Sequence, residues 1–377
     1  MHARSFTHRQ LTIRVECAKP TALHWLDEFL TPCFAASDDA RPDWTVALVA
    51  DAAAHAAALA RGARADGGRA GCFAFDDGLV SLPWWTSVDD APVVFDDAAN
   101  VFYELAHAGA RTRVLVDDER PPRRISLMRV VRELAVSHAW SPTSAVVHGA
   151  ALAVGEQGIV ISGEKGAGKT TLLMQLLLSG AAGALVANDR FVLDVGGAAL
   201  VAGGIPTVVQ VRPAPADRLP TLHRWFVRPP YDHRLALNEP AASLPASAGR
   251  VPLPLPVQLS PAQFSAWLGV PRRGACRPAA LLFPRVVADL DGIEVEALAP
   301  PAAATRLRRS LWGGSRTAIS EVFALPARGE SLDAGGLDRL CATAVARLRC
   351  FECRLGRGAD HPAAARQLLE RVLVSAP

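Results

Sequence analysis

The chain has 377 residues, half of them hydrophobic, which is enough for two domains with their own cores and excludes a disordered tail or linker. A formal net charge of +3, with acids scattered among the arginines, provides no basic stripe, so nucleic acid is not an expected partner. No charge-free apolar run reaches the roughly 18 residues of a membrane span. The N-terminal MHARSFTHRQLTIRV lacks a signal-peptide core, so a cytoplasmic protein without a membrane partner is expected.

Residues 1–122 mix strand-like runs (LTIRV at 11–15, WTVALVA at 44–50, RTRVLVDD at 111–118) with Ala-rich helical segments and Asp-rich turns, and predict an N-terminal α+β accessory domain. The segment ERPPRR at 119–124 has the composition of a connection. A second domain is expected over 123–377, starting with a helix at 127–138 whose Leu127, Val130, Val131 and Leu134 share one face. TSAVVHGAALAV then reads as a strand, GIVISG as a buried strand, TTLLMQLLLSG as a helix and ALVANDRFVLDV at 184–195 as one further strand. This order is the phosphate-binding unit of α/β folds.

Pro-rich stretches at 206–230 and 240–261 read as loops or a lid. Strands are expected at 279–284 and 293–298, helices near 302–312 and 335–349, and a terminal helix at 361–373 with Asp360 or His361 at its start.

The chemistry concentrates between the second and third of these central elements. GEKGAGKT at 163–170 satisfies G-x-x-x-x-G-K-[ST], with an apolar strand before it and an amphipathic helix after it. Gly163, Gly166 and Gly168 let backbone N–H groups wrap a phosphate, with Glu164, Lys165, Ala167 and Thr171 completing the nucleotide-binding stretch. Lys169 is placed to reach the β- and γ-phosphates, and the Thr170 hydroxyl to ligate Mg²⁺. Of 40 basic residues only three are lysines, and two of them, Lys165 and Lys169, stand in this loop. A compact ammonium kept in so arginine-rich a chain suits a point-charge role. ATP and Mg²⁺ are therefore the expected cofactors.

The nearest acid on a following strand is Asp189, 20 residues after Lys169, and neither an LSGGQ-like nor an NKxD-like run is present. A strand-end carboxylate there can reach an acceptor hydroxyl or the metal, or can cap a turn. His148 lies in the apolar strand before the loop strand, where by itself it reads as a core residue.

Taken together, VVHGAAL, GIVISGEKGAGKTTL, LVANDRFVL and VVQVRP resemble the HPr kinase/phosphorylase superfamily, P-loop serine kinases related in fold to phosphoenolpyruvate carboxykinase. In that family an HG pair precedes the loop lysine by 21 residues, as His148–Gly149 precedes Lys169 here. The resemblance implies Asp189 as general base, Arg234 of YDHRL as a catalytic arginine and Arg212 in register with a family arginine, and it adds His148 to the catalytic set. Two family acids are replaced, by Asn188 and Gln210, and the C-terminal signature of the reverse reaction is missing, so the similarity is to divergent HPr-kinase-like proteins, peptide-tailoring kinases included. It covers about 145–240 well.

The expectation is therefore an ATP-dependent kinase acting on a serine-type hydroxyl of a peptide, protein or small metabolite, with a homo-oligomer left open. The alternative is an ATP-gated binding module without phosphotransfer, motivated by Asn188 and Gln210. Cys350 and Cys353 have C-x-x-C spacing but no second ligand pair nearby, and the seven cysteines as a set read as reduced thiols. Trp84–Trp85 reads either as a contact site or as core.

Overall fold

The structure, a computed structural model, describes residues 1–38, 41–62, 69–75, 78–86, 92–97, 99–106, 110–119, 123–181, 183–212, 219–220, 222–223, 257–312 and 333–373. These residues form a mixed α/β protein with eight helices and two large mixed sheets, one in each of two compact units. The first unit holds Met1–Ala139, and the second holds Trp140–Trp312 with the residues described after 332. No described helix is long and apolar enough to cross a membrane.

In the first unit, β1 (His2–His8), β2 (Leu11–Cys17), β3 (Ala35–Ser37), β4 (Trp44–Ala50), β5 (Arg69–Phe75), β6 (Gly78–Thr86), β7 (Pro92–Asp96), β8 (Val101–Ala106) and β9 (Arg111–Val116) form one sheet in the order β3-β1-β2-β4-β9-β8-β7-β6-β5. In β2, Leu11, Ile13, Val15 and Cys17 are all buried, the period of two that one core-facing side of a strand requires. The helices α1 (Pro20–Leu30), α2 (Ala52–Gly62) and α3 (Arg123–His138) pack against this sheet. The helix expected at 127–138 begins at Arg123 and lies on β2, β4 and β9, where Arg129 Nη1 donates to Asp96 Oδ2 at 2.7 Å. Trp85 is buried edge-on to Phe102, so it is core and not a contact site.

The second unit is built on β10 (Ser144–Val154), β11 (Gln157–Ser162), α4 (Lys169–Leu178), β12 (Gly183–Ala187), β13 (Arg190–Asp194), β14 (Val201–Ile205), β15 (Val209–Val211) and β16 (Val257–Leu259). It continues through α5 (Pro261–Leu268), β17 (Ala275–Cys276), β18 (Pro278–Asp291), β19 (Ile293–Ala297), α6 (Pro300–Arg309), α7 (Ala334–Ala346), β20 (Arg349–Arg357) and α8 (Pro362–Leu373). Its main sheet runs β17-β14-β13-β10-β11-β18-β20-β19, with β12 also paired to β10, and β15 and β16 form a separate pair. Successive residues of the central strands point to opposite faces. Ile161, Leu282 and Leu355 join Leu172, Leu176, Phe264 and Leu368 in one core, while Val160, Leu281 and Phe283 join Leu307, Leu340 and Val345 in the other.

Two local features depart from the sequence expectation. The segment 184–195 is not one strand: β12 and β13 each pair antiparallel with β10, and the chain breaks between them at Asn188–Asp189. Strands β15 and β16 lie within the two Pro-rich stretches read as loops, and α5 begins where the second of them ends. Its N-cap Ser260 accepts from Gln263 N while the Gln263 side chain takes the Ser260 N–H, a reciprocal capping box that starts a helix beside prolines.

Candidate functional site

The glycine-rich loop leaves β11 at Ser162 and enters α4 at Lys169. Gly166 at φ 79° and Gly168 at φ 99° take left-handed conformations that side chains with a Cβ rarely adopt, and Gly168 is the N-cap of α4. Leu172, Leu173, Leu176 and Leu177 are buried, so the loop is anchored by the helix that follows it. Glu164, Lys165 and Gly166 are exposed at the loop crest, and Gly163, Ala167, Thr170 and Thr171 are half-buried. The first-turn N–H groups of α4 have no intrahelical acceptor and bring the positive end of the helix dipole to the loop.

Lys169 Nζ donates to the carbonyl oxygens of Gly163 at 2.8 Å and Glu164 at 2.9 Å, which leaves one of its three donors for another group. Burial pushes the Lys169 ammonium below the ordinary lysine value, and the Asp189 carboxylate opposes that shift. Asp189 is thus close enough to Lys169 to be felt electrostatically across the loop.

Asp189 stands at the break between β12 and β13. Its carbonyl accepts from Gly149 N at 2.8 Å, and its Oδ1 lies 3.1 Å from His148 Nε2, where the ring N–H donates to the carboxylate. Arg190 Nε approaches Oδ2 at 3.6 Å, longer than a hydrogen bond, while its guanidinium sits 3.6 Å over the Trp312 ring. Trp312 also meets His148 edge-on at 5.8 Å. The glycine beside His148 is dictated by packing: a Cβ on Gly149 would lie 2.3 Å from Ile161 O and 2.9 Å from Phe191 Cε1. Only a residue without one lets β10 and β11 hold His148 beside the start of the loop.

The other expected site residues lie apart from this cluster. Asn188 is buried, and its Nδ2 donates to Thr207 Oγ1 at 2.8 Å, so its amide fastens the chain at the break. Gln210, paired with Gln258 in the β15–β16 ladder, and Arg212 are exposed and make no side-chain hydrogen bond to the loop or to Asp189 among the described residues. Arg234, with the YDHRL segment and most of both Pro-rich stretches, lies outside the described residues.

Among the described residues no three His, Cys, Asp or Glu side chains come together as a metal cage. Thr170 and Asp189 are the side chains here that could ligate a metal, and so sparse a set would suit only an ion such as Mg²⁺, which keeps water and phosphate oxygens in most of its positions. Cys350 and Cys353 belong to opposite cores of the sheet, so they cannot share a metal ion.

In front of the loop is a cavity of about 410 Å³, walled on one side by Gly163–Ala167 and on the other by the end of α6, with Arg285 of β18 and Glu352 of β20 at its margins. Arg306, Arg309 and Ser310 line it, and Ser310 O accepts from His148 N at 2.8 Å. Neither these groups nor Trp312 stood out in the sequence, because RLRR near a helix end reads as a solvated face. The spacing of Arg306 and Arg309, three residues apart and so on one helix face, is the signal that was available. No protein-family model matches the chain, and no curated protein matches it.

Proposed function

We propose that this chain is an ATP-dependent kinase of the HPr-kinase-like type that transfers the γ-phosphate to a serine-type hydroxyl of a peptide, protein or small metabolite. The observation that carries the proposal is the His148–Asp189 pair, 3.1 Å apart, beside a G-x-x-x-x-G-K-T loop whose lysine feels the Asp189 charge.

In this reading the loop N–H groups and the N-terminal end of α4 hold the phosphates, and Lys169 follows the charge that develops on the γ-phosphoryl group. Asp189, held by the His148 N–H, takes the proton of the acceptor hydroxyl as the new O–P bond forms and the bond to the β-phosphate oxygen breaks, releasing ADP. His148 acts by positioning that carboxylate. Thr170 would hold Mg²⁺ among phosphate oxygens and water, and the ion when bound would supply neutralising charge for the phosphates.

Incubation with γ-labelled ATP and candidate hydroxyl acceptors tests the reading, with Asp189→Asn as the control. Labelled product from the wild type, lost in a variant that still binds ATP, supports it. Tight stoichiometric binding without turnover supports the second reading, an ATP-gated binding module. That alternative is favoured by Asn188, whose amide is committed to Thr207 where a carboxylate would have served metal.

A further inference from the structure

We infer that Arg306 and Arg309, at the end of α6, form the wall that recognises the terminal phosphate of the bound nucleotide, with Arg309 as its principal contact. This rests on the nucleotide-binding reading of the loop.

The three arginines near the end of α6 have different fates. Arg308 turns to α7, with Nε 3.3 Å from Asp338 Oδ1. Arg306 faces the cavity, and its Nη2 is fixed by Glu352 Oε2 at 2.5 Å, which orients the guanidinium. Arg309, one helical turn further on, lines the same cavity, is exposed, and has no ion-pair partner among the described residues. Arg285 of β18 lines the cavity as well. A cavity bounded by Lys165 and by three arginines, against the two acids Glu164 and Glu352, selects for an anion.

The position within the loop names which part of the nucleotide is involved. In this loop motif the lysine reaches the β- and γ-phosphates. Lys169 Nζ lies on the carbonyls of Gly163 and Glu164, and both residues line the cavity with Arg306 and Arg309, so the cavity adjoins the outer end of the phosphate chain. The carbonyl end of a helix repels an anion, so the attraction must come from guanidinium groups. With so few carboxylate ligands for metal, planar forks that bind phosphate oxygens are a second source of charge compensation.

The test is calorimetric titration of the full chain with Mg·ATP and with Mg·ADP, for the wild type, Arg309→Ala and Arg309→Lys. Arg309 is exposed, so its replacement leaves the core intact, and circular dichroism checks this. The expected result is a wild type that prefers ATP and an alanine variant that loses about tenfold of that preference, the worth of one charge-assisted contact, while ADP affinity stays within about twofold. The lysine variant recovers part of the preference. An unchanged ATP-to-ADP ratio, a parallel loss for both nucleotides, or no nucleotide binding by the wild type overturns the inference. A kinase reading that fails leaves a different mark: the ratio responds to Arg309 while no phosphate reaches any acceptor.

Discussion

Replacing Gly149 by alanine tests the packing that sets His148 beside the loop. The new Cβ would lie 2.3 Å from Ile161 O, so β10 and β11 must part by about 1 Å to restore an ordinary contact. Overpacking of this kind costs about 1–3 kcal/mol, and here the obstacle is backbone of the strand that leads into the loop, so the upper part of that range is expected. The entropy that alanine removes from the unfolded chain returns about 0.4–1 kcal/mol. A net loss of about 2 kcal/mol corresponds to roughly thirtyfold more frequent opening of the β10–β11 pair. Gly203→Ala is the matched control, since a Cβ there meets nothing within 4 Å. Hydrogen–deuterium exchange of peptides covering 144–162 reads the difference, and phosphate transfer should fall about 100-fold because a displacement of about 1 Å misaligns reacting groups. Equal protection in the two variants would refute the argument that sterics require glycine beside His148.

Further outcomes follow from the same geometry. Lys169→Ala should weaken Mg·ATP about 100-fold by calorimetry, the worth of a buried charge-assisted contact, while circular dichroism is unchanged. Asp189→Asn should lower phosphate transfer about 10²–10⁴-fold in a labelled-ATP assay and leave ATP affinity within about threefold. Because burial lowers the Lys169 value from 10.5 and bound phosphate restores it, ATP affinity should be full below the free-protein value and fall as pH rises through it. Asp189→Asn, which removes an opposing charge, should move that fall to lower pH in a calorimetric pH series. Iodoacetamide at pH 8 should leave Cys276, Cys341, Cys350 and Cys353 unmodified in the native protein, as burial pushes their thiols up to about 12, 11, 11 and 12; peptide mapping by mass spectrometry checks this.

What was legible in the sequence was the part governed by local rules. The apolar run 157–162, the glycines and the leucine-rich helix announce strand, loop and helix, and those elements stand at Gln157–Ser162 and Lys169–Leu178. Hydrophobicity carried the reading of 184–195 straight through Asn188 and Asp189, because flanking apolar residues look the same in one strand or two. What breaks the strand is long-range: the Asn188–Thr207 hydrogen bond and the Gly149 N–H to Asp189 O. Helix α5 was hidden for the opposite reason, its Ser260–Gln263 box lying within a composition that signals loop. The α6 arginines acquire meaning only once β18 and β20 bring Arg285 and Glu352 alongside them, and that depends on the parallel β11–β18–β20 pairing across distant segments.

The ends of the second unit's sheet bear on how copies of the chain can meet. On one side β17 is only two residues long, too short a template for an incoming strand. On the other, β19 carries Glu294 and Glu296, both contacted by Arg354, so an approaching backbone would have to displace solvated carboxylates already engaged with a cation. Neither of these two strands therefore offers a bare template for a strand of another copy, and along them a concentrated solution should resist the ladder-wise stacking that bare sheet margins invite.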